Sequence, residues 1–480
     1  MHKFARLIFA LVIGLSIVGF IPPNAAVSPQ SATMETYLVL FKQQSVPANA
    51  AALITSSGGT LVYSYDKIGV AIARSSSDSF RANLLLDKRV ENASSTARFG
   101  VQLNEEVEVV DGATLAEAAF DDPSSGQQWD MFQIHVPEAH DITMGSPTVV
   151  VGDIDTGLDY DHPDLAANVD FANSVSCVGG VPNQDPAAWD DDNGHGTHTA
   201  GTIAAAKNGI GIIGVAPNVK IAGIKAGNAD GYFFPEAVIC SFVWAAEHNI
   251  DVTNNSYFAD PWLFNCRNDA EQHAIWKAEQ RAIRYAMQNG VTVVAAAGNE
   301  NIDLSKRNID TISPDTDPNP PPREVTNACV VIPVEIPGVI GVSADGNLMQ
   351  KSYYSTYGVS AVQVVAPGGD SRFQRTAAAT RGTVYSTYSR GRYAYAQGTS
   401  MASPHVAGVA ALIISQFGKM PPGRVQAMIN QTADSVDCPP NPFNPGPPFN
   451  YYAECTGGSG YNSFYGHGQV NAFNAVTHTP

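Results

Sequence analysis

The stretch TVVVGDIDTG, Thr148–Gly157, decides the fold. It opens as a nearly unbroken apolar run and stops at a carboxylate beside a glycine turn. A run this short reads as a strand buried on both faces. Three more follow: VKIAGIKA (Val219–Ala226), VTVVAAA (Val291–Ala297) and GVIGVSA (Gly338–Ala344). Helix-like segments lie between them, among them PEAVICSFVWAAEHN (Pro235–Asn249) and AIWKAEQRAIRYAMQNG (Ala274–Gly290). This alternation predicts an α/β protein, a three-layer α/β/α stack around a mostly parallel central sheet. In such sheets chemistry collects where strands end and helices begin.

The rest of the chain frames that body. Its net charge of −18 argues against nucleic acid or an anionic membrane surface as partner. Residues 1–26 have the layout of a secretory signal peptide: Lys3 and Arg6, an apolar run of about fifteen residues, then small residues near Ala25 and Ala26. A single membrane anchor is the alternative. Residues 34–98, with the strand-like TYLVLFK (Thr36–Lys42), read as a small α+β unit preceding the main body. Residues 99–126 are acidic and turn-rich, a linker, and 127–480 form the main domain. The basic, tyrosine-rich 368–398 stretch lacks periodicity and reads as a surface excursion. Six cysteines suit an oxidising compartment; Cys438–Cys455 is the most local pairing, and Cys240, in an apolar run, could equally be a free thiol.

Four places carry chemistry. Asp155 ends the first strand, where a buried carboxylate needs hydrogen bonds. His195 stands between Gly194 and Gly196 at a helix start, glycines that allow close backbone approach. His198 lies three residues on, so a metal pair is an alternative, although no HExxH pattern accompanies it. Asn299 follows a buried strand and can aim its amide into a cleft. In QGTSMASPHVAGVAALI (Gln397–Ile413), Ser400 precedes an apolar helical face, and Pro404 is tolerable if it lies in the first turn.

Together, VGDIDTGLDYDHPDL, HGTHTAGT, AAAGN and GTSMASPHVAG resemble the subtilisin-like serine proteases, over roughly Gln127 to Val476. The resemblance implies a serine endopeptidase that cuts extended polypeptides. Ser400 would be nucleophile, His195 base and Asp155 its partner, with Asn299 and the Ser400 N–H serving the oxyanion. It implies that the amino-terminal unit is an inhibitory, folding-assisting propeptide, so that the chain is a self-processing zymogen, secreted and extracellular, with no stable membrane association and working as a monomer. Ser256 and Tyr257 would belong to the substrate-pairing edge, although Phe258 stands where the family usually has glycine. Ala296 and Gly298 would line the first specificity pocket, with Glu300 near its mouth and a large apolar residue preferred before the cut. Asp164, Asn208 and the backbone carbonyls of Ala206, Ile210 and Ile212 correspond to a structural calcium site; the chemistry itself needs no cofactor. Met401 beside the nucleophile would be an exposed, peroxide-sensitive thioether. A metal-dependent hydrolase built on His195 and His198, or a binding protein that kept the fold and lost activity, are the competing readings.

Overall fold

The computed structural model describes residues 33–96, 106–110, 122–257, 262–313, 320–447 and 450–478. The signal-like segment, Phe258 and much of the 99–126 stretch lie outside these residues.

The amino-terminal unit contains β1 (Glu35–Phe41), α1 (Ala50–Ser56), β2 (Thr60–Tyr65), β3 (Val70–Ser75), α2 (Phe80–Leu84) and β4 (Val90–Ser95). Its sheet is antiparallel in the order β2-β3-β1-β4. Side chains alternate across a strand, so Tyr37, Val39 and Phe41 pack with Ile54 and Phe80 in the unit's own core. Leu38 and Leu40 point the other way, into a core shared with the main body. Burial on both faces explains why β1 reads as a continuous apolar run.

The main body supplies β5 (Val107–Val110), β6 (Val150–Asp155), β7 (Val175–Ser176), α3 (His195–Ala204), β8 (Lys220–Lys225), α4 (Pro235–Glu247), β9 (Val252–Asn255) and α5 (Ala270–Gln288). There follow β10 (Thr292–Ala296), β11 (Ile340–Asp345), β12 (Val364–Pro367), β13 (Val384–Tyr388), β14 (Arg392–Ala396) and α6 (Thr399–Phe417). Seven strands form one sheet in the order β12-β11-β10-β9-β6-β8-β7, every neighbouring pair parallel. Strand alternation feeds two cores. Val150, Ile154, Val293 and Ala295 face α4, α5 and the amino-terminal unit. Val151, Ile221, Val252 and Val294 face α3 and α6. The three-layer expectation holds, and all four quoted runs are strands of this sheet.

Three readings change. Residues 107–110, taken as linker, are a strand paired with β14. The 368–398 excursion contains the β13–β14 hairpin, turned by Arg390 (φ 66°) and Gly391 (φ 65°). Tyr388 pairs with Arg392, so a three-residue loop, Ser389 to Gly391, turns the chain with its last two residues at positive φ. Cys240 is no free thiol: it pairs with Cys177, alongside Cys266–Cys329 and the expected Cys438–Cys455.

Among the described residues one helix, α6, is long and apolar enough to cross a membrane. Here it is buried against the sheet and α3, which is why the run from Val406 to Ile414 is apolar throughout.

Candidate active site

The carboxyl ends of β6, β9 and β10 meet the amino-terminal ends of α3 and α6. Val151, Asp153 and Asp155 share one face of β6, the face those helices cover. His195 opens α3, and its Nδ1–H donates to Asp155 Oδ1 at 2.6 Å, with both side chains buried. Two glycines make that approach possible. A methyl on Gly196 would lie 2.2 Å from the Gly157 carbonyl oxygen; one on Gly194 (φ +115°) would lie 2.3 Å from the Tyr388 ring. Asp191, a residue the sequence reading passed over, locks the turn. It accepts from Thr156 Oγ1, from the amides of Gly194 and Thr197, and from Thr197 Oγ1 at 2.6–2.9 Å.

Burial raises the Asp155 carboxyl, and neighbouring His195 pulls it back by charge and hydrogen bonding. Asp153, two residues earlier on the same face, is pushed well above the usual carboxylate range by burial first and by Asp155 second. Its oxygens meet Thr199 Oγ1 on α3 at 2.7 Å and Asn254 Nδ2 at 2.9 Å. Asn254 also accepts from Ser403 Oγ on α6 at 2.7 Å. One buried acid thus ties together the elements that carry Asp155, His195 and Ser400. Ionised, Asp153 accepts from Thr199 Oγ1; protonated, as burial favours, it can donate to that oxygen instead and free the Thr199 proton for the Gly196 carbonyl at 3.0 Å. Asparagine can reproduce both bonds; alanine cannot. Asp153→Asn should therefore keep kcat within about threefold, whereas Asp153→Ala should lose about 1–3 kcal/mol of stability by stranding its partners. The pH signature follows from the raised pKa. The unfolded chain ionises this acid from about pH 4 and the folded chain only at higher pH, so it costs stability as pH rises through that window. The melting temperature of Asp153→Asn relative to wild type should climb from pH 4 toward neutrality; a constant offset would mean an ionised Asp153.

Ser400 is the second residue of α6, and its Oγ donates to the Ser256 carbonyl at 3.1 Å. Pro404 corrects the sequence reading: it is the sixth helical residue, past the first turn. Lacking an N–H, it cannot bond the Ser400 carbonyl four residues back. Ser256 Oγ takes that carbonyl instead, at 2.9 Å. Met401 is also corrected. It is 1% exposed, packed with Trp129, Val384 and Ala396, so its thioether is shielded from peroxide by the same packing that fixes the turn.

Asn299 Oδ1 accepts from the Thr399 N–H at 2.9 Å and from Thr399 Oγ1 at 3.0 Å. Those two donors fix the amide's orientation and leave its NH2 end for another acceptor. Gly298 (φ +112°) donates its N–H to Thr399 Oγ1 at 3.0 Å. The Glu300 carboxylate lies over Gly298, where a methyl would meet Oε2 at 2.6 Å; burial raises the Glu300 carboxyl, and Thr356 Oγ1 donates to it. Ala296 is buried at the end of β10. Ser256 and Tyr257 continue β9, but the Tyr257 ring turns inward. It stacks on Phe233 at 4.4 Å and donates its hydroxyl to Asn255 Oδ1, leaving the backbone as the part able to pair with a substrate. His198 lines the same small cleft as His195, but its Nε2 is engaged by the Ala394 carbonyl at 3.1 Å.

Around Asp164 the loop supplies donors. Asp164 Oδ2 accepts from Ile212 N–H at 2.9 Å and from Tyr393 OH at 2.7 Å. The Asp164 carbonyl accepts from the Ala206 N–H, and Asn208 Oδ1 from the Ile210 N–H. Asp122, also missed in the sequence, accepts from the Asn208 and Gly209 amides. Burial, with some repulsion from Asp122, raises Asp164 to about 6. Asp164 Oδ1 is buried without a hydrogen-bond partner. An orphaned carboxylate oxygen beside a second carboxylate suits an oxygen-seeking cation, so the residues fit the calcium that the family implies.

A strand-end aspartate is bound to a helix-start histidine, and a second helix start carries a serine, all on one α/β sheet. Comparison gives the class: residues 146–468 match the subtilase family, peptidase S8, and the chain belongs to it. It is a serine endopeptidase of the subtilisin type. The chain is 29% identical to a thermophilic serine proteinase of Bacillus sp. (strain AK1) over 453 residues, 92% of this chain and 87% of that protein. It is 32% identical to thermitase of Thermoactinomyces vulgaris over 354 residues, 73% of this chain and 96% of that one. The crystal structure of the epidermin leader peptide processing serine protease from Staphylococcus aureus superposes with a TM-score of 0.71 at 22% identity, covering 92% of this chain and 98% of that one, a likeness of fold.

Proposed function

We propose that Ser400 attacks the scissile carbonyl while His195 takes its proton and later delivers it to the leaving amine. Asp155 orients the imidazole and stabilises its charged form. Asn299 and the Ser400 N–H donate to the tetrahedral oxyanion, and the amino-terminal end of α6 adds a favourable dipole. The backbone after β9, at Ser256 and Tyr257, pairs with extended substrate, and Ala296 and Gly298 wall the first pocket. The observation that carries this reading is the buried 2.6 Å bond between His195 and Asp155. It favours a triad over a His195–His198 metal pair, because His198 is turned to Ala394.

The amino-terminal unit acts as a propeptide, and the protein is made as a secreted, monomeric, self-processing zymogen. Its docking on α5 supports this. Arg281 donates to the Phe41 and Ile68 carbonyls at 2.8 and 3.1 Å, and Glu91 pairs with Lys277 and Arg281. Tyr65 OH reaches the Gly180 carbonyl at 2.7 Å. Amino-terminal sequencing of the secreted protein tests it: the wild type should begin beyond the unit, and Ser400→Ala should retain it.

Calcium, held by Asp164, Asn208, Asp122 and the carbonyls of Ala206, Ile210 and Ile212, would supply the missing positive charge and brace the loop; it takes no part in the chemistry. A chelator should lower the melting temperature and inactivate slowly, through unfolding. Protons compete for Asp164 below about pH 6. The chelator's effect should therefore be large at pH 8 and shrink on going to pH 5. An unchanged melting temperature at pH 8 would remove the site.

A further inference from the structure

We propose that the outer edge of the β13–β14 hairpin is a binding site for extended acidic peptide on the leaving-group side of the scissile bond. The chain's own Glu106–Val110 segment is its resident occupant. This rests on the reading of Ser400 as nucleophile.

The hairpin runs straight into the catalytic helix: β14 ends at Ala396, four residues before Ser400. Segment 107–110 adds to β14 as an antiparallel third strand, with Val107 opposite Ala396 and Val110 opposite Tyr393. Val107 shares a small cleft with His195, Tyr388 and Met401. Read from amino to carboxyl end, the segment therefore starts beside the catalytic histidine and leads away from it. That is the direction of the chain that follows a cut bond. The maturation bond accordingly precedes Glu106; cleavage leaves this strand as the first product-side occupant, which must leave β14 before a substrate can add there.

Strand addition supplies affinity through the backbone ladder, and selectivity through pockets for alternate side chains. Those pockets are cationic or polar here. Glu106 accepts from Gln397 Nε2 at 3.0 Å, and from Ser371 Oγ and Arg372 Nη2 at 3.4 Å. Glu108 is gripped at both oxygens by Arg381, at 3.0 and 3.1 Å. Aromatic rings hold the guanidinium groups in place: Arg381 lies over Tyr395 at 4.2 Å and Arg372 over Tyr353 at 4.7 Å. Glu106 and Glu108 stand two residues apart, on one face of the strand. Val107 and Val109 are 40% and 39% exposed, and only Val110 packs on the tyrosine cluster of the hairpin, so apolar burial anchors just the far end of the strand. The matching ligand is an extended peptide with acidic residues at alternate positions. Both ion pairs are half-exposed, so their contribution is modest and salt-sensitive.

Fluorogenic peptides sharing one sequence before the cut and carrying Glu-x-Glu, Ala-x-Ala or Lys-x-Lys after it, in both registers, test this on the secreted protein. The kcat/KM for Glu-x-Glu should exceed that for Lys-x-Lys about tenfold at low salt, and the ratio should shrink as salt rises. In the Arg372→Glu/Arg381→Glu variant the ratio should fall to one or invert. Self-processing of that variant should slow, and adding Glu106→Arg/Glu108→Arg should restore it, which a misfolded variant would not allow. Cleavage without charge discrimination in the wild type, or a ratio unchanged by the arginine variant, overturns the site. No cleavage of any peptide overturns the Ser400 reading itself.

Discussion

Ser400→Ala is expected to reduce kcat on casein-like substrates by about 10⁶ and to leave the amino-terminal unit uncleaved. In subtilisin itself, a relative of this chain, removing the serine or the histidine alone costs roughly that much, because the triad acts as a unit. A serine hydroxyl at its ordinary acidity is a weak nucleophile, and what changes that here is geometric. The buried Asp155 holds the imidazole through Nδ1, and the Gly194 and Gly196 turn brings the ring there. Deleting Oγ removes the one atom that forms the bond to carbon. It removes little else: the hydroxyl donates to the Ser256 carbonyl, a bond worth about 1 kcal/mol. The helix start is held by other groups, Ser256 Oγ on the Ser400 carbonyl and Ser403 on Asn254. The variant should thus stay folded, with a melting temperature close to that of the wild-type zymogen. Residual self-processing by purified Ser400→Ala protein would sink the assignment.

Much of this arrangement could be read from the chain because it rests on local patterns. Short runs buried on both faces gave the parallel sheet, and Asp155, His195, Asn299 and Ser400 sit at the ends of the predicted elements. What escaped depends on distant partners. The alternating Glu-Val-Glu-Val at 106–109 is a local strand pattern, but its partner lies nearly three hundred residues on, at 393–396, so nothing nearby says where it pairs. The hairpin was more legible than its reading: Tyr385, Tyr393 and Tyr395 alternate around an Arg-Gly turn, the pattern of a half-buried ribbon. Asp153 sat in plain view, an acid inside an apolar run, two residues before another on the same face. Its meaning came only with Thr199 and Asn254. Met401 is misread, and Cys240 left open, for a related reason. Exposure and pairing are set by what folds over a residue, here Trp129 and the distant Cys177. Pro404 looked like a first-turn proline because the helix start was drawn too late; its cost is absorbed by Ser256, a contact no local pattern predicts.

The second large effect is at Asn299. Asn299→Ala should lower kcat by about 10²–10³ while leaving KM nearly unchanged, a magnitude measured in subtilisin for the loss of one oxyanion donor. The reasoning is differential. A neutral ground-state carbonyl gains little from the amide, whereas the oxygen that becomes negative in the tetrahedral intermediate gains a great deal. The structure adds a complication, because Asn299 also anchors Thr399 through Oδ1. Alanine would lose both roles. Asn299→Asp separates them: one oxygen can still accept from the Thr399 N–H and hydroxyl, while the NH2 donor becomes a second acceptor aimed at the developing charge. If donation is what matters, aspartate should be at least as damaging to kcat as alanine, with KM again little changed. If anchoring Thr399 is what matters, aspartate should recover most of the activity. A rise in KM alone in either variant would make Asn299 a substrate-binding residue and remove it from the oxyanion site.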